Sequence, residues 1–441
     1  MKTMSKFQIV TIAIFIVFII AGVASFSLYK GSSQNTALPA ITVWGTFPGN
    51  IFNQYVSDVN STQSQAVRIS YVQKAPDAFS RDFVNALAIG QGPDAILVPA
   101  DLILPQENKL VLIPYQVVSK RAFLDSYIQE ANVYLSDSGI LAVPFTVDPL
   151  VMYWNRDAYN AAGIAAYPRY WDEFTGTSLK PGLVQKLIVK DDNENIRKTA
   201  IAMGDFSNIT NAREVLGSLM LQSGNPVTKM DGNGNPISAI NDPSSASTIP
   251  ALRFFIQFAD PSNANYSWNR SMANDKTSFL SGALSTYFGF ASELSDIRAK
   301  NPNINFDAAP LPQLRSGGVK AAYGKIYGFS IVRASANANA AYQTISLLAS
   351  PQNLSGLSKT MYLPAVRTDI IAQGSSDPYI TIFNQAALIS KTWLDADPSA
   401  SRQIFGILIQ SIMSGKKTFD QGVRDASDQY DVVLKQAGQQ I

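Results

Sequence analysis

The chain contains neither cysteine nor histidine. The first absence removes disulfides, thiolate nucleophiles, thiolate metal sites and a lipid-modified cysteine as a membrane tether. The second removes the base of Ser-His-Asp and Cys-His catalysis and the commonest transition-metal ligand. Glutamate is scarce, with six residues (107, 130, 173, 194, 214 and 293), and charged residues make up 15% of the chain. The 35 basic and 33 acidic residues leave a net charge of +2 with no basic block, so nothing calls for a nucleic-acid partner. Phosphate-binding loops are missing as well. Gly318 to Ile326 lacks the spacing and the Ser/Thr of such a loop, Ser414-Gly415-Lys416-Lys417 lacks the upstream glycine, and no nucleophile elbow occurs.

What is present begins with length: 441 residues imply two to three domains at about 150 residues each. Residues 8–28 carry no charge, and about 20 such residues cross a bilayer as a helix. Lys2 and Lys6 precede them, which predicts a cytoplasmic N-terminus and an extracytoplasmic body on a single-pass anchor. The run is longer than a usual signal peptide, although Gly22-Val23-Ala24 offers small residues for cleavage, so a retained transmembrane helix is expected over residues 1–30. Residues 31–39 read as a flexible linker.

From Ile41 the chain alternates short apolar runs with amphipathic segments: strands at 41–45, 67–72 and 94–99, and a helix with Phe79, Phe83 and Leu87 on one face, capped by Asp77. This order predicts parallel strands in an open α/β sheet, with ligands beyond their carboxyl ends. Trp44 and Phe47 follow the first strand and Asp101 the third, making them site candidates; a core ring and a helix cap are the respective alternatives for Trp44 and Asp101. Two further apolar runs, 140–145 and 150–154, read as separate strands with Asp148 between them, held extended by Pro149. Lys190–Asn195 and Asp231–Pro236 read as hairpin turns rather than calcium loops, since neither ends in the required Glu. Thr418 and Gln421 form a capping-box pattern. Asn60, Asn208, Asn265, Asn269 and Asn353 occupy glycosylation sequons.

Trp44, Phe47, Trp268, Tyr287, Phe290, Tyr323 and Tyr327 fall at or beside strand ends. Aromatic faces suit the C–H faces of pyranose rings, and carboxylates accept charge-assisted hydrogen bonds from hydroxyls. The same groups suit an amine cation through cation–π contact and ion pairing. Asp101 and Asp148 are also the pair a surface glycoside hydrolase would need.

At this point the residues resemble a known family, the extracellular solute-binding proteins of the maltose-binding, ABC-importer type (family 1). The resemblance spans roughly 40–436 and rests on ITVWG, GPDAILVPAD, LAVPFTVDPLVMYWNRDAYNAAG with WDEF, FLSGALSTYFGF, APLPQ, YGFSIVRAS, YLPAVR and SGKKTFDQGVRDA in order. It implies a periplasmic-binding-protein-like α/β fold. Two lobes (40–147 with 312–352, and 148–311 with 353–441) are joined by a three-crossing hinge near 147–149, 309–312 and 350–353, with a central cleft. It places Asp101 and Asp148 where relatives hold sugar-binding acids, Phe290 at a stacking position, and Trp44, Tyr323 and Tyr327 on ligand loops. Gly282–Thr286 departs from the family's usual run here, as does Tyr170 ahead of WDEF. The expectation is a monomeric, non-enzymatic, cofactor-free protein capturing a carbohydrate for ABC permease subunits, with an amine binder, a hydrolase or a ligand sensor as alternatives. The candidate ligand-binding residues are thus Trp44, Phe47, Asp101, Asp148, Trp268, Phe290, Tyr323 and Tyr327.

Overall fold

The computed structural model describes residues 39–62, 66–177, 179–232 and 235–439. The apolar segment 8–28 lies outside them. Among the described residues no helix is long and apolar enough to cross a membrane.

Eight principal strands build the core: β1 (Ile41–Gly45), β2 (Ile69–Gln73), β3 (Ala95–Pro99), β4 (Val143–Asn155), β5 (Ile196–Ile201), β6 (Leu284–Phe290), β7 (Phe306–Pro310) and β8 (Ala322–Val332). One 11-stranded sheet runs β2-β1-β3-β8-β4-β6-β5 and ends on the short strand Val189–Lys190; β7 joins β4, while Leu110–Val111 and Ser390–Lys391 join β8. The β1 pairings with β2 and β3 are parallel, as the alternation of strand and helix predicts. β3 is apolar throughout because both its faces are covered: Ala95 and Leu97 enter the larger core, Ile96 and Val98 a smaller one.

The two apolar runs around Asp148 form one continuous strand rather than two. Twelve of its thirteen residues are buried. What changes is the partner: residues 143–149 pair with β8, and residues 150–155 with β6 and β7. Pro149, which has no N–H to donate, stands at this seam. An extended pre-proline residue is equally at home within a long strand, which is why the local pattern read as a break.

Two other expectations shift. The helix Phe79–Ala88 starts after Ala78 with no side-chain cap, so Asp77 does not cap it. Residues from 353 were expected with the second half of the sheet, yet helix Pro351–Met361 lies on helix Gly49–Thr62, where Thr360 donates to Asp58 Oδ2 at 2.9 Å. Thr368 likewise donates to Ser126 O at 3.2 Å. Ser350 accepts from Asn353 N as the helix cap, and Pro351 is an ordinary first helical residue rather than a crossing. The passage to the second half follows Ile371, before helix Pro378–Leu388 packs on β4 and β7.

The reciprocal bonds of Thr418 and Gln421 form (3.0 and 3.2 Å) and start the final helix Phe419–Gln439. Asp191 accepts from Asn193 N and Asn195 N, and Asp231 from Asn235 N, so these carboxylates serve their own hairpins. All five sequon amides already donate hydrogen bonds, and Asn208 and Asn353 are buried.

Candidate functional site

A cavity of about 550 Å³ opens where the two halves of the sheet face each other. Its first wall comes from the carboxyl ends of β1 and β3. Thr46 follows β1, Asp101 lies in the turn of helix Ala100–Ile103 after β3, and Gln106 lies on the 3₁₀ helix Leu104–Lys109. β8 crosses beside β3, with Tyr327 opposite Pro99, and its alternation turns Lys325 and Tyr327 to the same cavity. The second wall comes from helix starts: Arg213 and Glu214 on Ala212–Gln222, and Asp397 capping Pro398–Met413 by accepting from Ser399 N and Ala400 N. The last helix adds Val433 and Gln436.

The walls differ in how their polar groups are paired. Arg213, 3% exposed, forms ion pairs with Asp395 and with Glu214 (2.9 Å), donates to Ser401 Oγ at 2.8 Å, and lies over the Trp393 ring. On the first wall Thr46 Oγ1, Asp101 Oδ1 and Gln106 Oε1 are buried without a partner. They are three of seven such atoms among the described residues. Buried polar atoms are nearly always bonded, and three exceptions gather at this one cavity wall. Burial pushes the Asp101 carboxyl up to about 6, against the pull of Arg213 and Lys325.

Asp148 lies deeper. Its Oδ1 accepts from Ser292 N at 2.9 Å and its Oδ2 from Ser292 Oγ at 2.6 Å, on the turn that follows β6. Burial raises its pKa to about 6, with Lys325 and Ser292 opposing. The acid therefore fastens β4 to the β6 turn, and both of its oxygens already hold partners.

Of the eight residues singled out from sequence, Asp101 and Tyr327 line the cavity. Phe47 backs Tyr327, the ring centroids 4.3 Å apart. Asp148, Phe290 and Tyr323 sit beneath Lys325 and Arg213: Lys325 Nζ is 3.6 Å from the Phe290 ring centroid, and Tyr323 packs on Trp393 and the Phe290 edge. Trp44 and Trp268 stand apart. Trp44 joins Phe79 and Phe83 in the smaller core, under the Lys74 ammonium, and fully buried Trp268 donates to Asn208 Oδ1 at 2.9 Å.

Sequence reasoning did not select Thr46, Gln106, Arg213, Glu214, Lys325 or Asp397. One signal was available for Lys325: it is the lone charge in the apolar strand AYGKIYGFSIV. Arg213 and Glu214 open a helix that reads as ordinary core.

A family model for the bacterial extracellular solute-binding proteins matches residues 48–354. The chain belongs to this family. Solved structures share the solute-binding protein's fold. The sugar-binding protein MalE of Xanthomonas citri superposes with a TM-score of 0.70 at 17% identity, over 91% of this chain and 98% of that one. A cyclo/maltodextrin-binding protein complexed with maltotetraose gives 0.69 at 16%, over 93% and 100%. CpMnBP1 with mannotriose bound gives 0.64 at 20%, over 89% and 99%. No curated protein matches the chain by sequence.

Proposed function

We propose that this solute-binding protein captures a carbohydrate, an oligosaccharide by the size of its cavity, without transforming it, and delivers it to ABC permease subunits. The observation that carries the reading is the first wall. Thr46, Asp101 and Gln106 offer unspent buried polar atoms beside the Tyr327–Phe47 ring pair, the combination a polyol with apolar ring faces would satisfy. The sugars seen with structures of the same fold support it. In this reading the two halves of the sheet are lobes hinged at β4, β8 and residues 372–377. Ligand bridging both walls favours the closed form, which the permease would recognise. Residues 8–28 would hold the body to the outer face of the membrane.

Isothermal titration of the full chain with mannotriose, maltotetraose, amino acids and putrescine tests this. Saturable binding of a neutral saccharide is expected; saturation by amino acids or putrescine alone overturns the carbohydrate reading.

A further inference from the structure

The acids and aromatic ring beneath the cavity compose a site for a cation as readily as for a hydroxyl, and in this structure a cation is already there. Lys325 lies opposite Asp148 in the β4–β8 ladder and rests its ammonium on the face of Phe290 at 3.6 Å. Its charge acts on both Asp148 and Asp101. Among the described residues it makes no ion pair within 4.0 Å, and the other cation lining the cavity, the buried Arg213, is spent on Asp395, Glu214 and Ser401. An ammonium over an aromatic face, set between two buried carboxylates, is the arrangement that would recognise a cationic solute. Here the protein's own side chain fills it.

We propose that Lys325 is a specificity-determining residue: a built-in cation that occupies the amine-recognition position and so makes the cleft select neutral saccharides over amine-bearing ones. This rests on the carbohydrate reading for the neutral ligand, while the exclusion of amines is read separately. A ligand ammonium entering beside Lys325 would meet a like charge and find the Phe290 face covered. A neutral hydroxyl can accept from the Lys325 ammonium and donate to Asp101, so the lysine serves one class of ligand and repels the other. Removing it would uncover the Phe290 face and take one positive charge from beside Asp101 and Asp148, leaving Arg213 to act on Asp101 and Ser292 on Asp148.

The test is titration of full-length wild type, Lys325→Ala and Lys325→Arg with two probes of similar size, mannotriose and the fully deacetylated glucosamine trisaccharide. In wild type the amine trisaccharide should bind at least about tenfold more weakly than the neutral one. In Lys325→Ala the amine probe should gain about tenfold and mannotriose lose about tenfold, whereas Lys325→Arg keeps the wild-type order. Melting temperatures of the three ligand-free proteins check that each is folded. An unchanged ratio in a folded Lys325→Ala protein overturns the proposal, as does a wild type that prefers the amine. If wild type takes neither saccharide, the carbohydrate reading fails on its own; a gain of amine binding in Lys325→Ala then still supports the proposal, and no gain overturns it.

Discussion

The two walls of the cleft carry similar residue types in opposite states. On the second wall, Arg213, Glu214, Asp395 and Ser401 satisfy one another, and the group is held against Trp393 and Tyr323. On the first, Thr46, Asp101 and Gln106 each leave a buried atom unpaired. A satisfied buried network rigidifies its surroundings, while an unsatisfied one has a free-energy deficit that a ligand can remove. The difference separates the walls: one is a finished support, and the other is the one on which the proposed ligand contacts rest.

Breaking the finished wall should have the largest effect. Asp395→Ala removes one of the two carboxylates that pair the buried Arg213 guanidinium and should lower unfolding free energy by about 3 kcal/mol in a denaturant titration. Asp101→Asn should leave ligand-free stability unharmed yet weaken saccharide binding by about 1.5–3 kcal/mol, since a charge-assisted acceptor is lost. The same acid predicts a pH effect. With a pKa of about 6 its carboxylate is protonated as pH falls, so wild-type affinity should decline below pH 6 while that of Asp101→Asn stays flatter. If the two pH profiles coincide, Asp101 is not the acceptor.

Behind β8, Glu130 offers a third state, a buried acid whose carboxyl burial pushes up to about 8 against the opposing pull of the Ser390 hydroxyl and the Ile326 backbone. Between its ordinary value near 4.5 and 8 the folded chain holds a proton that the unfolded chain has released, so stability falls as pH rises through that window. Glu130→Gln should therefore stabilise by about 1–3 kcal/mol above pH 8, with the gain shrinking as pH falls from 8 towards 4.5. Thermal melts across pH would show whether that crossover exists. The smallest effect belongs to Trp268→Phe, which loses the bond to Asn208 and should cost about 1 kcal/mol of stability with an unchanged dissociation constant. A matching loss of affinity would return Trp268 to the site.

Much of the fold was readable because periodicity reports local structure. β1 and β3 fall where alternation and Gly/Pro boundaries put them, and the Thr418–Gln421 box starts the last helix. The carboxyl-end rule reached Asp101 and the Trp44–Phe47 loop, but within that loop the pleat decides which side chain faces where. Trp44 turns to the smaller core, while Thr46, two residues on, is placed at the cavity wall by the bend after β1. Asp148 was singled out as a ligand-binding acid between two strands; it lies within one strand, and its hydrogen-bond partner Ser292 is 144 residues away. No local pattern names such a partner.

By itself the sequence determined the chemistry that is absent, the α/β alternation and the family, because these depend on residue types and short spacings. Tertiary structure alone decided which polar groups are spent and which are free. Asp148 is satisfied by Ser292, Arg213 by Asp395 and Glu214, and the Phe290 face is covered by Lys325, while Asp101 is left open. Pairing of this kind depends on contacts between residues far apart in the chain, and for a binding site it is the pairing that separates a support from a contact.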